Sequence, residues 1–210
     1  IDKQVVEERM KLYYDSDTSW ESLALLNTGL TQDAARYDAK KTREIVLAAE
    51  KYNPKSVRKP LTRPMDYKYC YYSSIRPLWN EPRPNYSSQC LNANAFIVTR
   101  RKGVADPEGV PFFYTGNIGV QHSMQTDAYY VPIRLHNRTT DQNKKPKEQA
   151  HLIQPDEEET EATANLSSSA RSYLASLGIA SPDSDAHTAG LIWMHALAIG
   201  YSPAYLSENA

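Results

Sequence analysis

Four short stretches rich in aromatic and β-branched residues, at 67–72, 95–100, 111–115 and 129–135, follow one another with proline- and glycine-containing segments between them. Such side chains suit a pleated, half-buried surface, and the Pro and Gly punctuation keeps each stretch short. Helical patterns flank them. Residues 20–26 read as a short helix. A longer one covers 38–52, where Ile45, Leu47, Ala48, Ala49 and Tyr52 supply an inner face and Asn53-Pro54 stops the helix. Periodicity by itself starts this second helix at Thr31. Towards the C-terminus, 165–177 and 186–199 are helix candidates, the latter offering Leu191, Met194 and Ala198 for packing. The expected class is α+β: a mixed or antiparallel sheet domain with flanking helices and a helical C-terminal tail.

Between the last strand candidate and that tail, residues 140–164 hold little that could enter a core. Asn143-Lys144-Lys145-Pro146-Lys147 is followed by an acidic run of Asp156, Glu157, Glu158, Glu159 and Glu161, a composition expected of a mobile charged linker. Three parts follow: 1–139, 140–164 and 165–210. No apolar run approaches the roughly 20 residues that cross a bilayer, and residues 1–14 lack the basic start and apolar centre of a signal peptide. A cytoplasmic chain without membrane contact is expected. It opens on Ile1 and closes on Ala210 just after an apolar helical stretch, which suggests a piece of a longer polypeptide.

The net charge of −1 conceals an asymmetry. Between Lys51 and Val104 eleven Lys or Arg face only Asp66 and Glu81. Planar side chains are interleaved with them: Tyr67, Tyr69, Tyr71, Tyr72, Trp79 and Tyr86 stand among Arg63, Lys68, Arg76 and Arg83. Cations neutralise phosphates, and aromatic or amide groups stack on bases or reach their edges. The competing reading is a tyrosine-rich strand whose rings fill a core while its cations are merely solvated. Composition weighs the two evenly.

Catalytic signatures are missing. There is no Walker loop, no glycine-rich methyl-donor loop, no Asn-Pro-Pro-Tyr tetrapeptide, no Gly-x-Ser-x-Gly elbow and no His-Glu-x-x-His. Tyr52-Asn53-Pro54-Lys55 is a helix stop. Pro155-Asp156 and Pro182-Asp183 lack the acidic-x-Lys strand of a metal-dependent nuclease. His122, His136, His151, His187 and His195 are scattered, and Cys70 and Cys90 read as buried or edge thiols, so no metal or cofactor is expected in the chain. Three sequons, beginning at Asn85, Asn137 and Asn165, read as chance in the absence of a secretion signal.

Arg63-Pro64-Met65-Asp66-Tyr67-Lys68-Tyr69-Cys70-Tyr71 resembles the Arg-Pro-Phe-Asp-x-Arg-Trp-x-Tyr block found downstream of the catalytic core in type ISP and related single-chain restriction-modification enzymes, with Met65 in place of Phe. Arg83-Pro84 and Asn94-Ala95-Phe96-Ile97-Val98-Thr99-Arg100 resemble the next stretch, where an Asn opens a hydrophobic strand ending in Arg. Residues 112–122 and Tyr130-Val131-Pro132-Ile133-Arg134-Leu135 look like later blocks, Thr28-Gly29-Leu30-Thr31-Gln32-Asp33 like the entry, and 191–205 like the helical segment near the C-terminus. Order and spacing carry the likeness, over 29–135 and 191–210. For the helix near Asp38 the resemblance implies extended backbone at 34–37 with Asp38 as N-cap, against the start at Thr31; the sequence leaves both open.

The resemblance implies a target-recognition domain that reads a short duplex DNA sequence on behalf of an adenine methyltransferase and is non-catalytic by itself. S-adenosylmethionine, together with any nuclease and ATP-driven motor, is expected in the remainder of the parent polypeptide. Arg suits guanine and Asn or Gln suits adenine. The candidate phosphate contacts are Lys68, Arg76, Arg83, Arg101 and Lys102, and the candidate base readers are Asn117, Gln121 and His122, in the turn after Phe113. Arg63 and Asp66, three residues apart beside a strand, are expected to form an internal ion pair. With Tyr71, Asn94 and Arg100 they make up the structural part of the motif. The alternative is a protein-interaction or structural module without DNA reading, docking through the helical tail.

Overall fold

The computed structural model describes residues 1–76, 78–79, 83–90, 94–102, 110, 112–117, 119–124, 127–136 and 162–209. In chain order its helices are α1 (Lys3–Tyr14), α2 (Trp20–Ala24), α3 (Ala39–Ala49), α4 (Pro84–Ser87), α5 (Ser168–Ser176), α6 (Ala186–Gly200) and α7 (Pro203–Asn209). Its strands are β1 (Val57–Arg58), β2 (Leu61–Arg63), β3 (Asp66–Tyr67), β4 (Cys70–Tyr71), β5 (Phe96–Arg100), β6 (Phe112–Thr115), β7 (Ala128–Pro132), β8 (Arg134–His136) and β9 (Ala162–Ala164). The class is α+β. The chain forms two units, one of residues 1–60 and 66–84, the other of 61–65 and 85–210.

The first unit is built on helices. Val6, Met10 and Tyr13 recur at helical spacing along α1 and are buried against Leu23, Val46 and Tyr71. Asp2 caps the helix by accepting from the Gln4 amide at 2.8 Å. The sequence reading places no helix at 3–14, although this spacing was there to be found. Helix α3 begins where the second of the two alternatives put it: Ala34 and Tyr37 form a β-bridge, and Asp38 caps by accepting from Lys41 N at 2.9 Å. The buried Arg43 of α3 donates to the carbonyls of Tyr13, Asp15 and Thr18 at 3.0, 2.6 and 3.0 Å. One guanidinium thus satisfies the end of α1 and the turn leading to α2, groups that would otherwise lack partners.

In this unit the tyrosine-rich stretch does not run as one strand. It divides into β3 and β4, and β4 pairs antiparallel with β1, Val57 opposite Tyr71 and Arg58 opposite Cys70. Tyr71 is buried, stacked on Tyr52 with centroids 5.8 Å apart. Its hydroxyl accepts from Asn53 N and its carbonyl from the Trp79 indole, each at 2.9 Å. Burial pushes the Cys70 thiol up to about 11, so it stays protonated and unreactive at neutral pH.

The second unit centres on an antiparallel sheet in the order β6-β5-β7. Phe96, Ile97 and Val98 of β5 are all buried, as expected of a middle strand covered on both faces. Phe96 lies opposite Thr115 on one side and Pro132 on the other. The expected strand 129–135 breaks at Ile133, whose amide donates to Ala95 O at 2.8 Å and whose carbonyl accepts from Asn165 N at 2.9 Å. Beyond the break β8 pairs with β9. Of the segment expected as a linker, residues 140–161 lie outside the described residues, as do His151, Pro155-Asp156 and the sequon at Asn137. Ala162–Ala164 form β9.

The tail helices pack within this unit. Ala189 of α6 and the neighbouring Trp193 join Ala95, Ile133 and Ala164 in one core cluster. Gly200 lies against the Phe112 ring, where a Cβ would come within 2.3 Å of Cζ, and Tyr201 donates its hydroxyl to Phe112 O at 3.0 Å. A bidentate pair joins Arg171 of α5 to Asp183 at 2.7 and 2.9 Å; Arg171 also reaches Ala164 O and Asp183 takes the Ala164 amide, at 2.7 and 2.6 Å. Such fork geometry fixes orientation as well as adding attraction.

The Arg171 hydrogen bond lowers the Asp183 pKa, and the Thr188 amide, with the Thr188 hydroxyl, holds Asp185 at about 2. Both folded values lie below the unfolded ones. This stabilisation is therefore complete above the ordinary carboxylate range, about pH 4, and is lost as pH falls through the folded values. Calorimetry should show the melting temperature falling on acidification. Asp183→Asn should lower it at neutral pH and flatten the acid limb; an unchanged neutral Tm would show that the clasp contributes nothing.

Candidate nucleic-acid interface

After β6 the chain turns through Gly116 and Asn117 into a short 3-10 turn at Gln121–Ser123 and returns along β7. This segment owes its shape to backbone contacts. Leu61 of β2 forms a parallel bridge with Gly119 and its carbonyl accepts from Val120 N at 3.1 Å. The Gly119 amide donates to the Tyr86 hydroxyl at 3.0 Å, and the Tyr130 hydroxyl donates to Val120 O at 3.1 Å while hydrogen-bonded to Ser123 Oγ. Burial raises the Tyr86 pKa, so the phenol is neutral at any ordinary pH. The rings of Tyr86, Phe96 and Tyr130 pack on one another, 5.4 to 6.4 Å between centroids, and hold these hydroxyls in place.

Gly119 has no substitute in this arrangement. A Cβ there would fall 1.9 Å from the Tyr130 hydroxyl oxygen. The glycine is required by close approach, one of the two reasons a glycine stands in a strand-like stretch.

Onto this frame Gln121 and His122 project as exposed side chains, and Asn117 is half-exposed, its backbone N–H donating to Thr115 Oγ1 at 3.1 Å. Arg63 reaches the same segment, its Nη1 donating to His122 O at 2.5 Å and to Thr62 O at 3.1 Å. His122 Nδ1 lies 3.0 Å from the Asp127 carboxylate, and the Asp127 carbonyl accepts from Arg101 N at 2.9 Å. Through Asp127 the structure therefore brings together the basic end of β5, with Arg101 and Lys102 exposed, and the proposed readers Gln121 and His122. Arg100 is half-buried at the last ladder position, opposite Ala128.

Asn94 is buried with its amide saturated. It donates to Gln89 O and Arg134 O at 2.7 and 2.9 Å, and accepts from Ala95 N and Arg134 N at 2.9 and 3.0 Å. It joins the start of β5 to β8.

In the other unit, Arg76 and Arg83 are exposed, as is Lys68, whose Nζ lies 3.5 Å from the Asp66 carboxylate. Exposed pairs of this kind contribute little. The aromatic residues divide by role. Tyr71 is core, Tyr72 and Trp79 pack together at 5.3 Å, and Lys59 lies over both Tyr67 and Tyr69 at 5.7 and 5.6 Å from their centroids. Most of the planar surface that composition offered to bases is thus engaged within the fold. Among the described residues no cluster of His, Cys, Asp or Glu could hold a metal ion, and no helix is long and apolar enough to cross a membrane.

The supports of the segment, namely Gly119, Tyr86 and Tyr130, were not singled out as site residues from sequence; the isolated Gly119 after a strand was the available signal. Gly119→Ala should destabilise the protein by about 1–3 kcal/mol, the usual range for forced overpacking. Gly116→Ala, with nothing within 4 Å of its Cβ, should cost less and serves as the control in thermal melts. Adding Tyr130→Ala to Gly119→Ala should restore part of the loss if the clash is its origin.

No curated protein matches the chain and no solved structure does. The Type ISP C-terminal specificity domain matches residues 1–209, essentially the whole chain. Its name describes target recognition within a restriction-modification enzyme, in keeping with a frame that fixes a segment's backbone and leaves polar side chains outside. The chain belongs to the Type ISP C-terminal specificity domain family.

Proposed function

We propose that this specificity domain, itself non-catalytic, reads a short duplex DNA sequence for a larger restriction-modification adenine methyltransferase. The observation that carries the reading is the segment at 119–123: its backbone is fixed by Leu61, Arg63, Tyr86 and Tyr130, while Gln121 and His122 project outward beside Arg101 and Lys102. Base discrimination requires donors and acceptors held in register with a groove, and a fixed backbone supplies that register at small entropic cost.

In this reading Asn117, Gln121 and His122 contact base edges. Arg101 and Lys102, with Lys68, Arg76 and Arg83 of the other unit, meet phosphates. Arg63 acts on the duplex indirectly, by positioning the His122 backbone. S-adenosylmethionine and the methyl transfer belong to other parts of the parent polypeptide, which is the domain's second partner. Exposed Tyr173 on α5, Leu177 just after it, and Met194 and Ile199 on α6 favour a second reading, an interaction module docking through its tail.

Selection from a random-sequence duplex library, followed by anisotropy titrations at several salt concentrations, separates the two. The first reading expects an enriched sequence and a salt-dependent affinity. Arg101→Ala or Lys102→Ala should weaken binding to all duplexes and reduce the salt slope by about 1. Gln121→Ala should relax preference at one position, at a cost of about 1–3 kcal/mol. An interaction module would show no binding even at low salt.

A further inference from the structure

Among the described residues Met65 is the most exposed large apolar side chain, 91% accessible, and its φ of 61° lies in the left-handed region. Pro64 precedes it, also exposed. A proline followed by a left-handed residue is the pattern of a type II turn, whose second central position ordinarily holds glycine or asparagine. Methionine there takes on the strain of a positive φ without any packing in return. Neither turn geometry nor core burial accounts for it, since glycine would serve the turn better.

The place of the turn supplies a reason. Arg63, two residues before Met65, is the side chain that grips the His122 carbonyl at 2.5 Å. The Pro64-Met65 tip is therefore tethered to the segment that displays Gln121 and His122. A protein-docking surface needs a contiguous apolar centre. Here a single exposed, flexible apolar side chain stands two residues from Arg63, whose guanidinium holds the segment that carries the polar Gln121 and His122. That is the arrangement of an apolar wedge, which enters between base steps while its polar neighbours hold the groove, and methionine is among the side chains that do so.

We propose that Met65 inserts into the bound duplex and partly unstacks one base step next to the base pairs contacted by Gln121 and His122. The proposal rests on the DNA-reading function above and adds a deformation of the DNA to it.

The test uses the full chain and the duplex recovered by library selection, with 2-aminopurine substituted at one position at a time. Wild type should brighten the probe at one step, and Met65→Leu should keep that signal. Met65→Gly should lose it and bind about tenfold more weakly, the scale of one lost stacking contact. Because glycine relieves the positive φ, its melting temperature should match or exceed wild type, which excludes misfolding as the cause. Wild-type affinity and fluorescence in Met65→Gly would overturn the insertion while leaving DNA reading intact. So would weaker binding by Met65→Gly with no brightening at any position in wild type, which would make Met65 a surface contact. Recovery of no duplex by the wild-type chain would overturn both.

Discussion

In the second unit the shape of the segment at 119–123 depends on the absence of one carbon atom. With no Cβ at Gly119, the Tyr130 hydroxyl can occupy the space over that residue, bond to the Val120 carbonyl and meet Ser123, while the Gly119 amide turns to Tyr86. Tyr130 belongs to β7 and packs on Phe96 of the buried β5, so the hydroxyl's position is set by the hydrophobic core. Through this contact the packing of the sheet is transmitted to the segment that carries Gln121 and His122.

Elsewhere the fold uses buried polar groups in the same manner, each meeting several backbone groups at once. Arg43 supplies three carbonyls at the end of α1 and after it, and Asn94 exchanges four hydrogen bonds between the start of β5, β8 and Gln89. A buried group left unpaired costs more than a pair gains. Such residues therefore select one arrangement of their neighbours over the alternatives. Short strands offer few ladder bonds, and these side chains make up for what they lack.

The sequence revealed elements whose information is local. The run from Ala95 to Arg100 announced β5, the Asp38 cap belonged to one of two alternatives for α3, and α6 began and ended close to its expected limits. Contacts between distant residues left no such trace. The Arg63 guanidinium reaches a carbonyl 59 residues further on, a partner that nothing in the neighbouring sequence announces. Composition likewise could not apportion the aromatics. Tyr71 and Tyr86 are structural, and Lys59 covers Tyr67 and Tyr69, because ring packing depends on which strand ends and helices meet rather than on order in the chain.

A segment shaped by backbone amides and carbonyls, and by hydroxyls that come from α4 and β7, is indifferent to much of what it displays. Replacing Gln121 or His122 leaves the bonds at Gly119, Val120 and the His122 carbonyl in place. The two positions behave as a socket. Their side chains can be exchanged while the housing stays unchanged, so these positions tolerate single substitutions that cost the fold little, whereas a side chain at position 119 needs room made at Tyr130.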